Sequence, residues 1–202
     1  DLLAESILAL AEAELAQTPQ RPVYLCGESF GGCLALKVLI QAPKLFEKII
    51  LINPASSFHQ VPWLNLGSLL FPFTPDIFYD YSAYLTLPFL VHLNRISSQA
   101  RQELVDTIKS APKQTAQQRL TMMRNFTLDE TRLKQVTQPV LLIGSQEDRI
   151  LPSVQEAKHL AQVFPQATVV TLPHSGHACL VEENINLYQI MEANNFVTSY
   201  LP

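Results

Sequence analysis

The sequence predicts an α/β fold in which a mostly parallel sheet is flanked by helices, and three observations carry that expectation. Four short apolar runs, at 22–27, 48–54, 139–144 and 167–172, are continuous rather than alternating, the pattern of strands covered on both faces. Helical periodicity fills most of the sequence between and around them. Of the 202 residues, 48% are apolar, enough for one sizeable core.

The first element, DLLAESILALAEAELAQ, spaces its apolar residues at helical intervals and reads as an amphipathic helix over 2–17. Thr18 to Pro22 breaks it. PVYLCG then reads as a strand, and after a Gly-Glu-Ser-Phe-Gly-Gly turn GCLALKVLIQAP reads as a helix that Pro43 stops. KIILINP, PVLLIG and ATVVTL are three further buried strands. Between the last two, SVQEAKHLAQVF is helical, with Ser153 and Glu156 spaced as a capping box. EENINLYQIMEANNFVTSYL reads as a final amphipathic helix. Strands alternating with helices imply a parallel sheet with helices on both faces.

Residues from about 57 to 137 depart from that rhythm. They show no strand pattern, hold most of the aromatic residues, and are too many for an ordinary connection. The segment reads as a helical cap inserted into a single domain that spans 1–202. Within it TAQQRLTMMRNF is helical, whereas the first half is punctuated by Pro62, Pro72, Pro75 and Pro88.

Composition removes several function classes. Charged residues make up 16% of the chain, the formal net charge is −4, and no basic patch or arm suggests nucleic acid. Cys26, Cys33 and Cys179 have no zinc-type spacing and read as free thiols that pack as small hydrophobes in a reducing compartment. No apolar run reaches the roughly 18 residues that span a bilayer, and no basic-then-apolar leader is present, so the chain reads as soluble and at most membrane-touching.

The chemistry concentrates at Gly27-Glu28-Ser29-Phe30-Gly31. This G-x-S-x-G pattern falls between a predicted strand and a predicted helix, where a sharp turn lifts the serine hydroxyl clear of the sheet. Small residues flank the serine because such a turn leaves no room beside it. The helix N-terminus then faces the reaction centre, and the backbone N–H of Phe30 becomes one oxyanion donor. The bland alternative is a serine that only caps the helix.

A serine hydroxyl needs a base to take its proton, and the base needs an acid to hold its tautomer. Asp148 follows the strand PVLLIG in GSQEDRILP, and His177 follows the last strand in LPHSGHACL, both at the carboxyl ends of strands. Each has a rival. Glu147 neighbours Asp148, Asp148 could instead pair with Arg149, and His174 lies three residues before His177. Ser175 and Gly176 favour His177, because they permit the tight approach of a buried imidazole. Glu28 is either a buried acceptor or part of the substrate site.

On GESFGG, GSQEDRILP and HSGH the sequence resembles the α/β-hydrolase superfamily and covers its second half. GESFGGCLAL, LINPASSF and GHACLVEENINLYQIM are further similar to the branch that holds phytyl ester synthases and their cyanobacterial relatives. The resemblance implies Ser29 as nucleophile, Asp148 as triad acid, His177 as base and the Phe30 amide in the oxyanion hole, with no metal or organic cofactor. It also implies several strands before the nucleophile strand, including a loop with a second oxyanion donor, whereas one helix precedes that strand here. The expectation is therefore a fragment of a larger domain, inactive and poorly folded if purified alone. A cytoplasmic location, or a plastid in a plant, goes with the resemblance.

The cap aromatics Trp63, Phe71, Phe73, Phe78 and Tyr81, with Tyr79, Tyr84 and Phe89, place apolar surface over the predicted mouth above Ser29. They suit a lipophilic acyl or isoprenoid ester, or else form the cap's own core. The expected activity is hydrolysis of such an ester, or transfer of its acyl group to a long-chain alcohol such as phytol or diacylglycerol. A catalytically silent fold that binds a lipid or partner through the cap is the reading from another class. Dehalogenase and epoxide hydrolase chemistry is disfavoured because those relatives carry Asp at the turn.

Overall fold

The computed structural model describes residues 2–17 and 21–197. Four strands, β1 (Tyr24–Glu28), β2 (Lys48–Ile52), β3 (Val140–Ser145) and β4 (Ala167–Leu172), form one sheet in the order β1-β2-β3-β4. Every pairing is parallel, with Gly27 opposite Leu51, Leu51 opposite Leu142, and Leu142 opposite Val169. All four lie within or beside the apolar runs expected to form them.

One face of the sheet packs on α2 (Phe30–Gln41) and α8 (Ser153–Val163), with α1 (Leu2–Gln17) packed on α2. The core there is made by fully buried Leu36, Leu39, Leu51, Leu142 and Leu160. The other face is covered by α9 (Leu187–Ala193) and the turns before it, through Ile185, Leu187, Ile190 and Met191 against Ile50, Ile52, Leu141 and Ile143.

Between β2 and β3 the chain is helical throughout its regular structure. A 3-10 turn at Ala55–Gln60 leads to α3 (Pro62–Leu70), a second 3-10 turn at Phe71–Phe73, α4 (Asp76–Leu90), α5 (Ser98–Ser110), α6 (Lys113–Arg124) and α7 (Glu130–Leu133). A separate small core of Ala83, Leu87, Val91, Ile96 and Val105 holds α4 on α5. Pro88 lies inside α4, near its end.

Four local expectations are corrected. The first helix is expected to bury an apolar face, yet only Ala4 is buried, while Leu2 and Leu10 are exposed. β1 is not covered on both faces: Leu25 and Gly27 are buried against α2, but the apolar layer beneath the sheet reaches Tyr24 and leaves Cys26 exposed. β4 lies at the sheet's edge, and among its residues only Leu172 is buried. The C-terminal helix is shorter than expected, starting at Leu187 behind an Asn186 side-chain cap on the Gln189 amide; residues 198–201 of that expectation lie outside the described residues.

Candidate active site

Ser29 stands at the turn from β1 into α2 with φ 54 and ψ −119, a conformation that costs a non-glycine residue about 1–3 kcal/mol. The turn is held from below. The Ser29 amide donates to the Ile52 carbonyl at 3.0 Å, and the Ser29 carbonyl accepts from the amides of Gly32 and Ala55, each at 3.0 Å. Ser29 occupies the N-cap position of α2, but its hydroxyl makes no capping bond; it faces His177 instead.

The glycines confirm the crowding expected at this turn and relocate it. A Cβ at Gly27 would lie 2.4 Å from the Gly31 carbonyl oxygen, and one at Gly32 would lie 2.7 Å from Cβ of Pro54. A Cβ at Gly31 would meet nothing within 4 Å. The second glycine of the five-residue pattern is thus present without steric need, and the next one carries it.

His177 comes from the loop after β4 and Asp148 from the loop after β3. His177 Nε2 lies 2.7 Å from Ser29 Oγ, and His177 Nδ1 lies 2.7 Å from Asp148 Oδ2. Both side chains are almost fully buried, at 5% and 1% exposure. Asp148 is furnished with donors on both oxygens: the amides of Ile150 and Leu151 reach Oδ1 at 2.8 and 3.0 Å, and the Ser153 hydroxyl reaches Oδ2. Burial pushes the Asp148 carboxyl up, but His177, through its hydrogen bond and charge, together with Ser153 and Leu151, outweighs burial and holds it below the usual carboxylate range.

The rivals go elsewhere. Glu147 lies against His92 at 2.6 Å and His174 at 3.5 Å, and Arg149 donates to the Pro88 carbonyl rather than to Asp148. Ser153 makes no capping box. The N-cap of α8 is Pro152, the Ser153 hydroxyl is committed to Asp148, and Glu156 accepts a short hydrogen bond from Ser56.

Above Ser29 and His177 opens a cavity of about 660 Å³ lined almost entirely by apolar side chains, among them Trp63, Phe89, Leu120, Met123 and Ala178. Of the aromatics expected at the mouth, Trp63 and Phe89 reach it. Phe71, Phe73, Phe78 and Tyr81 do not line it. Phe71 packs edge-on against Tyr79, with ring centroids 5.8 Å apart, and Phe73, Phe78 and Tyr81 are exposed. The reason is helical reach: at 1.5 Å per residue, Phe78 sits about 16 Å along α4 from Phe89.

Glu28 also lines the cavity, and its Oε1 is buried without a hydrogen-bond partner among the described residues. Burial raises its carboxyl above the usual glutamate range, with the charge of His177 and a hydrogen bond from the Leu180 backbone opposing. Burial pushes the thiols of Cys33 and Cys179 up to about 12, so neither is a thiolate nucleophile. Among the described residues no cluster of His, Cys, Asp and Glu suits a metal ion, and no helix is long and apolar enough to cross a membrane.

Two residues at the site carry no motif signal. Asn53, fully buried at φ 42, follows β2; its Oδ1 accepts from the Ser145 amide at 2.8 Å, and its Nδ2 donates to Ser145 Oγ at 2.9 Å and to the His177 carbonyl at 2.6 Å. A polar residue closing an apolar run just before Pro54 was the available clue. Glu182, 2% exposed, accepts the Gly176 amide, and nothing in the pattern separates it from its neighbour Glu183.

A serine on a strained strand-to-helix turn above a parallel sheet, with acid and histidine on later strand ends, is the arrangement of the α/β-hydrolase class. The chain belongs to that family, whose sequence model, described as the alpha/beta hydrolase fold, matches residues 2–184. It is 27% identical to the chloroplastic phytyl ester synthase 1 of Arabidopsis thaliana over 89% of this chain and 29% of that protein. A pimeloyl-[acyl-carrier protein] methyl ester esterase of Nitrosomonas europaea is 28% identical over 88% of this chain and 73% of the other. Among solved structures, an esterase from Exiguobacterium antarcticum superposes with a TM-score of 0.73 at 19% identity, over 98% of this chain and 71% of that one. The chain thus spans less than a third of the length of the phytyl ester synthase.

Proposed function

We propose that the chain carries the catalytic residues of a serine hydrolase acting on lipophilic carboxylic esters. The observation that carries the reading is the hydrogen-bonded line from Ser29 through His177 to Asp148, at 2.7 Å in each step, beneath an apolar cavity. Ser29 Oγ attacks the ester carbonyl while His177 Nε2 takes the hydroxyl proton. Asp148 holds Nδ1–H toward itself and stabilises the imidazolium. The Phe30 amide, first in α2 and so without an acceptor inside its own helix, faces the developing oxyanion. Collapse expels the alcohol, protonated by His177, and leaves an acyl-serine. Water then releases the acid.

The apolar lining supports a hydrocarbon substrate, each buried methylene contributing about 0.8 kcal/mol. Two relatives are named for synthesis and for cleavage of an ester, which is consistent with this chemistry. If a long-chain alcohol occupies the cavity in place of water, the same acyl-serine gives a new ester, the acyltransferase alternative. A peripheral contact with a lipid surface belongs to the same proposal. Trp63, Phe78 and Tyr81 are 56%, 61% and 61% exposed, and residues 62–90 contain no Lys or Arg, although Lys109 lies over the Tyr84 ring and Lys113 pairs with Asp76, so the surface is mainly apolar with two lysines beside it. Flotation with phosphatidylcholine vesicles should show it, and Phe78→Ser with Tyr81→Ser should abolish it.

The deciding experiment is active-site labelling of the intact protein with a fluorophosphonate, wild type beside Ser29→Ala. Labelling that disappears with Ser29 supports the hydrolase. Absence of labelling in both favours the silent lipid- or partner-binding fold.

A further inference from the structure

The backbone around His177 is held at three consecutive residues. The His177 carbonyl accepts from Asn53 Nδ2 at 2.6 Å, a tie to the sheet. The other two ties lead into the helical cap. The Ala178 amide donates to the carbonyl of Leu90 at 2.8 Å, and the Gly176 amide donates to Glu182 Oε1 at 2.9 Å. Glu182 Oε2 in turn accepts from Arg95 Nε at 3.1 Å, and the Glu183 amide donates to the Arg95 carbonyl at 2.9 Å.

The Glu182 carboxylate is therefore fully used and shielded from water, its side chain at 0% exposure against 27% for Arg95. A buried carboxylate with one charged partner depends on that partner, since removing it leaves an uncompensated charge. The contact is also close. A Cβ at Gly176 would lie 3.0 Å from the Leu90 carbonyl oxygen and 3.1 Å from Cα of Val91, so a side chain here would require the His177 loop and the cap to move apart by a few tenths of an ångström.

The segment that provides these ties begins at the cavity wall. Phe89 and Leu90 line the cavity, and the Leu90 carbonyl and Arg95 hold the histidine loop. We propose that Arg95 and Glu182 are positioning residues that set the His177 imidazole through the cap, so that the 90–95 segment aligns the base on Ser29. This rests on the serine hydrolase reading. Neither residue touches the reacting atoms; their effect passes through the Gly176 amide.

The test is steady-state hydrolysis of p-nitrophenyl esters of short and long acyl chains by the intact protein, each variant's rate divided by its titrated active sites. Arg95→Met should lower per-site kcat by between about tenfold and a hundredfold, the range for a displaced catalytic group, with KM changed less than about twofold. Arg95→Lys, which keeps the charge, should recover most of the rate. Glu182→Gln should repeat the loss, and combining it with Arg95→Met should add little, as expected for two residues acting through one contact. Unchanged per-site kcat in Arg95→Met, or a loss confined to the number of titratable sites, overturns the proposal and leaves a structural ion pair. Ser29→Ala runs alongside: if it retains wild-type turnover, the hydrolase reading itself fails, whereas an inert Ser29→Ala beside a fully active Arg95→Met fails only the positioning role.

Discussion

The hydroxyl of Ser153 donates to Oδ2 of Asp148, the same oxygen that lies 2.7 Å from Nδ1 of His177. The first residue of α8 thus serves the candidate triad rather than its own helix. Replacing Ser153 by Ala removes a hydrogen bond to a charged group, about 1.5–3 kcal/mol, and kcat should fall between wild type and Asp148→Asn. Asp148→Asn should lower kcat by about 10⁴, because the amide holds the wrong tautomer. Asp148 is depressed in the folded state, so its contribution to stability is present above the unfolded value of about 3.9 and is lost as pH falls through the folded one. The melting-temperature difference between wild type and Asp148→Asn should therefore be largest near neutrality and close in acid.

Glu28 gives the opposite sign. Its carboxyl is raised by burial, so folding favours the protonated form, and that stability is lost as pH rises from the unfolded value of about 4.3 through the folded one. Glu28→Gln removes the titration while keeping the shape. It should melt higher than wild type at about pH 8 and no higher at about pH 4, below the unfolded value. Equal melting shifts at the two values would show that folding does not raise the Glu28 carboxyl.

The turn glycines separate motif from mechanics. Gly31→Ala meets open space and sits in a helix, so it should stabilise by about 0.5–1 kcal/mol. Gly32→Ala forces a methyl against Pro54 and should destabilise by about 1–3 kcal/mol. Urea titration of both variants measures the contrast, and the result is inverted if the five-residue pattern itself determines the packing.

The parallel sheet and the meeting of Ser29, His177 and Asp148 were legible because each depends on local pattern: an apolar run, then a polar residue in the loop at its end. Features set by what packs next to an element were not. Cys26 and Thr168 lie in runs that read as buried, and their exposure depends on how far neighbouring layers extend. Glu182 differs from Glu183 only by its place over the Gly176 amide. The cap aromatics were legible as a group, yet which of them reach the cavity follows from the direction and length of α4, and sequence spacing alone places Phe78 and Phe89 on equal terms.

The cavity wall offers the sharpest check on the substrate class. Leu120 and Met123 on α6 line it together with Trp63 and Phe89 from α3 and α4, so added bulk at Leu120 intrudes on the space available to an acyl chain. Leu120 is half-buried and packs against the main core as well as lining the cavity, so an unchanged melting temperature of Leu120→Trp is the control that the core is not overpacked. Each methylene lost from the pocket should reduce transition-state binding by about 0.8 kcal/mol, or about fourfold in kcat/KM. A series of p-nitrophenyl esters from acetate to palmitate should therefore show an unchanged rate for acetate and a progressive loss for the longer chains in Leu120→Trp. A uniform loss at all lengths would mean that the acyl chain leaves Ser29 by another route and that the cavity holds the alcohol.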